Sequence, residues 1–93
     1  MVAQTPAFKK AIDDSRNLKS KPTDDDLLEL YALFKVGTGE DHASAAKPGM
    51  FDLKGKAKYN AWTKVVDQDK LSSSQAQTNY VQKVESLKKV HGF

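Results

Sequence analysis

The chain contains no cysteine, so disulfides, thiolate nucleophiles and thiolate-held metals are all excluded. That absence suits a reducing compartment. No stretch approaches the roughly 20 consecutive apolar residues that a membrane helix needs. The start, MVAQTPAFKKAIDD, lacks the apolar run of a signal peptide and carries acids early. Val2 stands where N-myristoylation requires glycine. Internal repeats, low-complexity tracts and linkers are missing as well, and no window alternates strictly apolar with polar, so no strand is expected. These absences predict a soluble, cytoplasmic, monomeric protein whose 93 residues form one domain over 1–93. A chain this short buries only about 60–65% of its unfolded surface, so the core is thin.

Charge is present but unevenly placed. The formal net charge is +3 and the pI about 9.1, a mild basic excess that favours anionic partners. Asp24, Asp25, Asp26 and Glu29 gather before the middle of the chain, and Lys47, Lys54, Lys56, Lys58 and Lys64 after it. The segment KPGMFDLKGKAKYNAWTKV, residues 47–65, packs five lysines and three aromatics into nineteen positions. Three readings account for it: a nucleic-acid surface, a site for a nucleotide-bearing small ligand, or a solvated helix with a buried aromatic face.

Four helix starts are legible. Thr5-Pro6 supplies an N-cap followed by proline at the first helical position, where its missing donor costs nothing. Phe8, Ala11, Ile12, Ser15 and Leu18 then fall on one stripe, and Pro22 closes the segment by disfavouring a helical Lys21. Thr23 with Asp26 is an acidic capping pair, and three aspartates complement the helix dipole. Leu27, Leu30, Tyr31 and Phe34 form the inward stripe, widened by Leu28 and Leu33. Residues 37 to 50, punctuated by Gly37, Gly39, Asp41, Ser44 and Pro48-Gly49, read as a long loop. A third helix begins near Leu53, with Tyr59, Trp62 and Val66 on one face. A fourth follows Ser72, with Gln75 in the capping-box position and Ala76, Tyr80, Val84, Leu87 and His91 as its stripe. The sum is a small all-α bundle.

Residue by residue, a bland role stands beside each functional one. Lys54 and Lys58 lie one turn apart and can border an apolar face or clamp a phosphate. Lys35 can serve as a cation at a helix C-terminus. Tyr31 and Tyr80 are core residues by position, with hydroxyls seeking partners. Asp41, His42 and Ser44 run together, but a hydrolytic triad is a spatial arrangement and not a run. His42 and His91 lack zinc-ligand spacing, so neither a metal nor a catalytic site is expected. Gly37-Thr38-Gly39 is a fragment that matches no phosphate-loop pattern.

Pro48-Gly49-Met50, Asp52, Lys54-Gly55-Lys56-Ala57-Lys58, the aromatic Tyr59 and Ala61-Trp62 together resemble the central motif of the acyl-CoA-binding protein family. Phe8, Leu18, Lys21-Pro22, Leu30-Tyr31, Phe34-Lys35, Tyr80, Val84 and Leu87-Lys88-Lys89 extend the resemblance along the chain. It implies an up-down-down-up four-helix bundle that carries medium- to long-chain fatty acyl-CoA in the cytosol and is not an enzyme. Carried over by position, Tyr31, Lys35 and Lys58 would grip the nucleotide and its 3′-phosphate. Tyr80 would contact the CoA head, and Arg16 and Lys54 would take further head-group positions. Ile12, Leu27 and Leu28 would line the acyl side. The ligand would be fatty acyl-CoA with no other cofactor, and transient partners would be acyl-CoA-using enzymes or membrane surfaces.

The sequence departs from the family in three places. Phe34 replaces a frequent tyrosine and lacks its hydroxyl, Tyr59 replaces a frequent tryptophan, and Val65 to Ser72 is longer than in the shortest members. The competing readings are a protein-interaction module contacting partners through residues 37–50 and a nucleic-acid module. Asp24-Asp25-Asp26 and the small net charge weigh against nucleic acid.

Overall fold

The computed structural model describes residues 3–40, 42 and 47–93. Each helix starts where the sequence places a cap. Helix α1 (Pro6–Ser15) begins with the Phe8 amide donating to Thr5 Oγ1 at 3.1 Å. Helix α2 (Asp24–Gly37) begins with the Asp26 amide donating to Thr23 Oγ1 at 3.2 Å. Helix α3 (Leu53–Lys64) is capped by Asp52, whose carboxylate accepts from the Gly55 amide at 2.9 Å. A Cβ at Gly55 would run into that carboxylate, which accounts for glycine between two lysines. Helix α4 (Ser73–His91) opens on a complete capping box: Gln75 N donates to Ser72 Oγ, and Ser72 N donates to Gln75 Oε1. No strand occurs among the described residues.

The directions of the helices follow from their cross-links. Thr5 N donates to Gln77 Oε1 at the starts of α1 and α4, and Lys88 pairs with Asp14 at their other ends, so these helices run parallel. Gln77 Nε2 donates to the Gly37 carbonyl, joining the end of α2 to the start of α4. Lys83, further along α4, pairs with Asp26 in the first turn of α2, so α2 and α4 run antiparallel. The Lys58 ammonium sits over the Tyr31 ring and the Lys35 ammonium over the Trp62 ring, so α2 and α3 run parallel. The bundle is therefore up-down-down-up.

The main core gathers Phe8, Ala11, Leu30, Leu33, Ala76, Tyr80, Val84 and Leu87 from α1, α2 and α4. A smaller cluster of Ala32, Trp62 and Val65 joins α3 to α2. Gly37 lies inside α2, so the helix reaches one residue into the expected loop. A Cβ there would stand 3.0 Å from Phe8 Cζ and 3.2 Å from Gln77 Cγ, so glycine permits the close approach of three helices.

Two buried polar groups fasten the ends of the bundle. Gln77 bonds the Ala3 carbonyl, the Gly37 carbonyl and the Thr5 amide. Gln77→Leu keeps the volume and strands these groups, so it is expected to destabilise by about 1–3 kcal/mol in urea unfolding. Asp14 is ion-paired with Lys10 at 2.8 Å and Lys88 at 2.6 Å. Its hydrogen bonds to Lys10 and then Lys88 hold its carboxyl below the ordinary value of 3.8.

The residues after α3 form a π-helical turn, Val65–Asp69, closed by Lys70 in the left-handed conformation at φ 49°. Val65, three residues after Trp62 and on its face, is the buried valine, while Val66, expected on the inward face, is only half-buried.

Candidate ligand site between α2 and α3

Parallel α2 and α3 bring Tyr31, Lys35 and Lys58 together. The Lys35 ammonium lies 5.5 Å from the centre of the Tyr31 ring and the Lys58 ammonium 5.4 Å from it. Lys35 also lies 5.7 Å from the centre of the Trp62 ring. Two cations thus lie within cation–π reach of one ring, each attracted by its quadrupole. Sequence spacing suggested these residue types; only the pairing of two helices makes them neighbours.

Lys35 has a counter-ion of its own. Glu40, just past the end of α2, approaches its ammonium at 2.7 Å. That hydrogen bond holds the Lys35 pKa above its ordinary 10.5, against the opposing effect of burial. Lys58 is exposed and has no ion pair among the described residues. Glu40 carried no signal in the sequence, because its role depends on how α2 ends.

His42 belongs to the same region. Its ring lies 4.7 Å from the Tyr59 ring and meets Trp62 edge-on, also at 4.7 Å. Its Nε2 is 2.7 Å from Thr63 Oγ1, and the Thr63 hydroxyl donates to the Tyr59 carbonyl at 2.9 Å. The hydroxyl proton being in use, the histidine donates from Nε2, a bond that the neutral Nε2–H tautomer and the imidazolium can both make. His42 therefore serves as an aromatic latch onto α3. Asp41 and Ser44, its partners in the run considered above, lie outside the described residues, as do residues 43–46 of the long loop.

The other expected site residues are spread more widely. Lys54 is exposed on α3, one turn before Lys58, and Arg16 is the exposed C-cap of α1. Tyr80 is only 5% exposed. Its ring meets Phe8 edge-on at 5.2 Å, and its hydroxyl lies 3.3 Å from Ser15 Oγ. Phe34, the neighbour of Lys35 in sequence, places its ring 6.5 Å from Tyr80 and 6.3 Å from Phe8. The structure does not gather the three expected acyl-side residues into one lining. Ile12 packs on the main core, Leu27 is 36% exposed, and Leu28 borders a separate groove. That groove, about 580 Å³ between α2, α3 and α4, is also lined by Ala32, Ala61, Lys64 and Lys83.

Two lysines near the C-terminus, Lys83 and Lys88, serve the fold. Lys83 pairs with Asp26 at 2.7 Å and Glu29 at 3.0 Å, and Lys88 with Asp14 and Glu85. They add little to the open positive field, which leaves Lys47, Lys54 and Lys58 on the α3 side exposed. No cluster of three or more metal-ligating side chains occurs among the described residues. No described helix is long and apolar enough to cross a membrane.

Comparison with known proteins bears on this geometry. A family model described as acyl CoA binding protein matches residues 5–84. The chain is 54% identical over 80 residues to an acyl-CoA-binding protein homolog of Manduca sexta, covering 86% of each. It is 50% identical over 84 residues to acyl-CoA-binding protein homolog 1 of Caenorhabditis elegans, covering 89% of this chain and 92% of the relative. The crystal structure of Oryza sativa acyl-CoA-binding protein 2 superposes with a TM-score of 0.78 at 28% identity, over 90% of this chain and 89% of that one.

Proposed function

Because the chain belongs to the acyl-CoA-binding protein family, we propose that it binds medium- to long-chain fatty acyl-CoA thioesters and acts as an intracellular carrier and pool former. The observation that carries the reading is the pair of ammonium groups on the Tyr31 ring. Lys35 and Lys58 take phosphate oxygens of the CoA head, and the Tyr31 ring supports the base or the lysine stems. Lys54 and Arg16 extend the positive surface, and the Tyr80 hydroxyl offers one further polar contact. Leu27, Leu28 and Ile12, which form no single lining, would each offer a share of apolar cover, and each acyl methylene contributes about 0.8 kcal/mol where fully buried. Affinity therefore rises with chain length, while the head group sets preference over free fatty acid. The protein works as a monomeric cytoplasmic carrier over 1–93, without catalysis and without a cofactor of its own.

Calorimetric titration with palmitoyl-CoA, CoA and palmitate separately tests this. One-to-one binding of the thioester, with each half much weaker, is the expected result. Equal binding of CoA alone would leave only a nucleotide receptor, and no binding of the thioester would overturn the proposal.

Glu40 provides a finer test. In the free protein it occupies Lys35, which the ligand phosphate must take over. A partly exposed ion pair of this kind is worth about 0.2–1 kcal/mol. Glu40→Gln is therefore expected to tighten palmitoyl-CoA binding by up to about fivefold, most clearly at low salt. Unchanged or weaker binding would mean that Lys35 keeps its carboxylate in the complex.

A further inference from the structure

Tyr31 and Lys35 lie one turn apart on one face of α2, while Asp25, Leu28, Glu29 and Ala32 recur at three- and four-residue spacing on another. That second face borders the groove of about 580 Å³ between α3 and α4. Both of those helices pack on α2 but make little contact with each other, so a slot stays open over α2. Its lining includes no residue of the Tyr31 cradle and none of residues 37–50.

The floor of the slot is apolar and low. Ala32, Leu33 and Val65 are buried, and Ala61 is half-buried beside them. Alanine on both α2 and α3 leaves room for a further backbone to come close, since the side chains at a contact set the distance between helix axes. The wall on α4 is polar, with Asn79, Gln82 and Ser86.

Charge stands at both ends. Gln77 of α4 meets Gly37 and Lys83 meets Asp26, so Asn79 lies toward the end of α2 and Ser86 toward its start. Asp25 therefore marks one end of the groove, and Asp69, in the turn after α3, the other. About ten residues of helix rise separate the two levels, or roughly 15 Å. Lys83, the cation on the α4 wall, is already held by Asp26 at 2.7 Å and Glu29 at 3.0 Å. Asp25 and Asp69 are exposed and have no ion pair among the described residues. The acids Asp25, Asp26, Glu29 and Asp69 outnumber the lysines Lys64 and Lys83, so the groove is negative on a chain whose net charge is +3.

An occupant that fits is apolar along one side, polar along the other and positive toward both ends. An acyl chain would set hydrocarbon against carboxylates and amides. Nucleic acid would meet repulsion from the same carboxylates. An amphipathic helix meets all three conditions, and laying its apolar face into a groove is a recurrent mode of recognition.

We infer that the α2–α3–α4 groove docks a basic amphipathic helix of a partner protein. The helix is about three turns long, with small apolar residues on its inner stripe and Lys or Arg toward Asp25 and Asp69. This inference does not rest on the acyl-CoA reading.

The probe is a synthetic helical peptide of about three to four turns with an alanine–leucine stripe and lysines at both ends. Its counterpart carries glutamate in place of each lysine. Binding is followed by peptide fluorescence anisotropy and by amide chemical-shift mapping of the protein. The lysine peptide is expected to bind and to shift the amides of Ala32, Ala61 and Val65, with the glutamate peptide about tenfold weaker or more. Asp25→Lys combined with Asp69→Lys should weaken the lysine peptide about tenfold. Ala61→Trp fills the floor and should abolish binding; the charge reversals lie at exposed positions and keep the test valid if that variant does not fold. Palmitoyl-CoA should leave the peptide in place.

No binding, equal binding of the two peptides, or binding indifferent to the double reversal overturns the inference. So does displacement of the peptide by palmitoyl-CoA, which would give the groove to the acyl chain. Peptide binding by a protein that takes up no palmitoyl-CoA would support the groove and sink the carrier reading alone.

Discussion

Replacing Lys35 and Lys58 together by alanine is expected to weaken palmitoyl-CoA binding by about two to four orders of magnitude. Each charge-assisted contact to a phosphate contributes about 1.5–3 kcal/mol, and two such contacts act on one head group. Both ammonium groups lie against Tyr31, at 5.5 and 5.4 Å from its ring centre, so one ring joins the two cations to a single site. Each single variant should lose about ten- to a hundredfold, with Lys35→Ala the smaller loss because its ammonium must first leave Glu40. Lys58 is exposed, and Lys35 joins no hydrogen-bonded network in the main core, so melting temperature should change little. Calorimetry on the folded double variant decides the matter: affinity within threefold of the parent, as a rough threshold for one lost surface contact, would place the phosphates elsewhere.

Phe8→Ala is expected to destabilise the protein by about 3–5 kcal/mol. Phe8 is fully buried, at 0% exposure, and its ring is the meeting point of three helices. It touches Tyr80 of α4 edge-on at 5.2 Å and Phe34 of α2 at 6.3 Å, and its Cζ fills the space left by Gly37. Domains of this size hold about 5–15 kcal/mol in all, so one substitution removes a large share. The urea midpoint should fall with the slope unchanged, because the same surface is exposed on unfolding. Ligand binding should weaken as well, since Phe34 loses its packing one residue before Lys35. A loss under about 1 kcal/mol would mean that Tyr80 and Phe34 collapse into the space, contrary to a rigid ring cluster.

Local signals in the chain determined where the helices begin. Thr5-Pro6, Thr23, and Ser72 with Gln75 are caps that act within one turn, and each caps a helix in the structure. The stripes predicted Phe8, Leu30, Tyr80, Val84 and Leu87 as core, because burial of a helix face follows from its 3.6-residue period. The family motif at residues 48–62 named the chemistry, and with it the bundle topology.

What the tertiary structure decided depends on pairs distant in sequence. Lys35 and Lys58 are cradle partners because α2 and α3 run parallel, which periodicity within either helix cannot encode. Glu40 and His42 matter only because the chain after α2 turns back over Lys35 and Trp62. Asp14 and Lys88 look like surface charges in the sequence and are joined 2.6 Å apart where α1 meets α4. Trp62 and Val65 share one helical face, and it is packing against Ala32 of α2 that buries Val65 more deeply than Val66. Sequence reaches as far as contacts within one helical turn; the cradle and the latch exist only once the helices lie side by side.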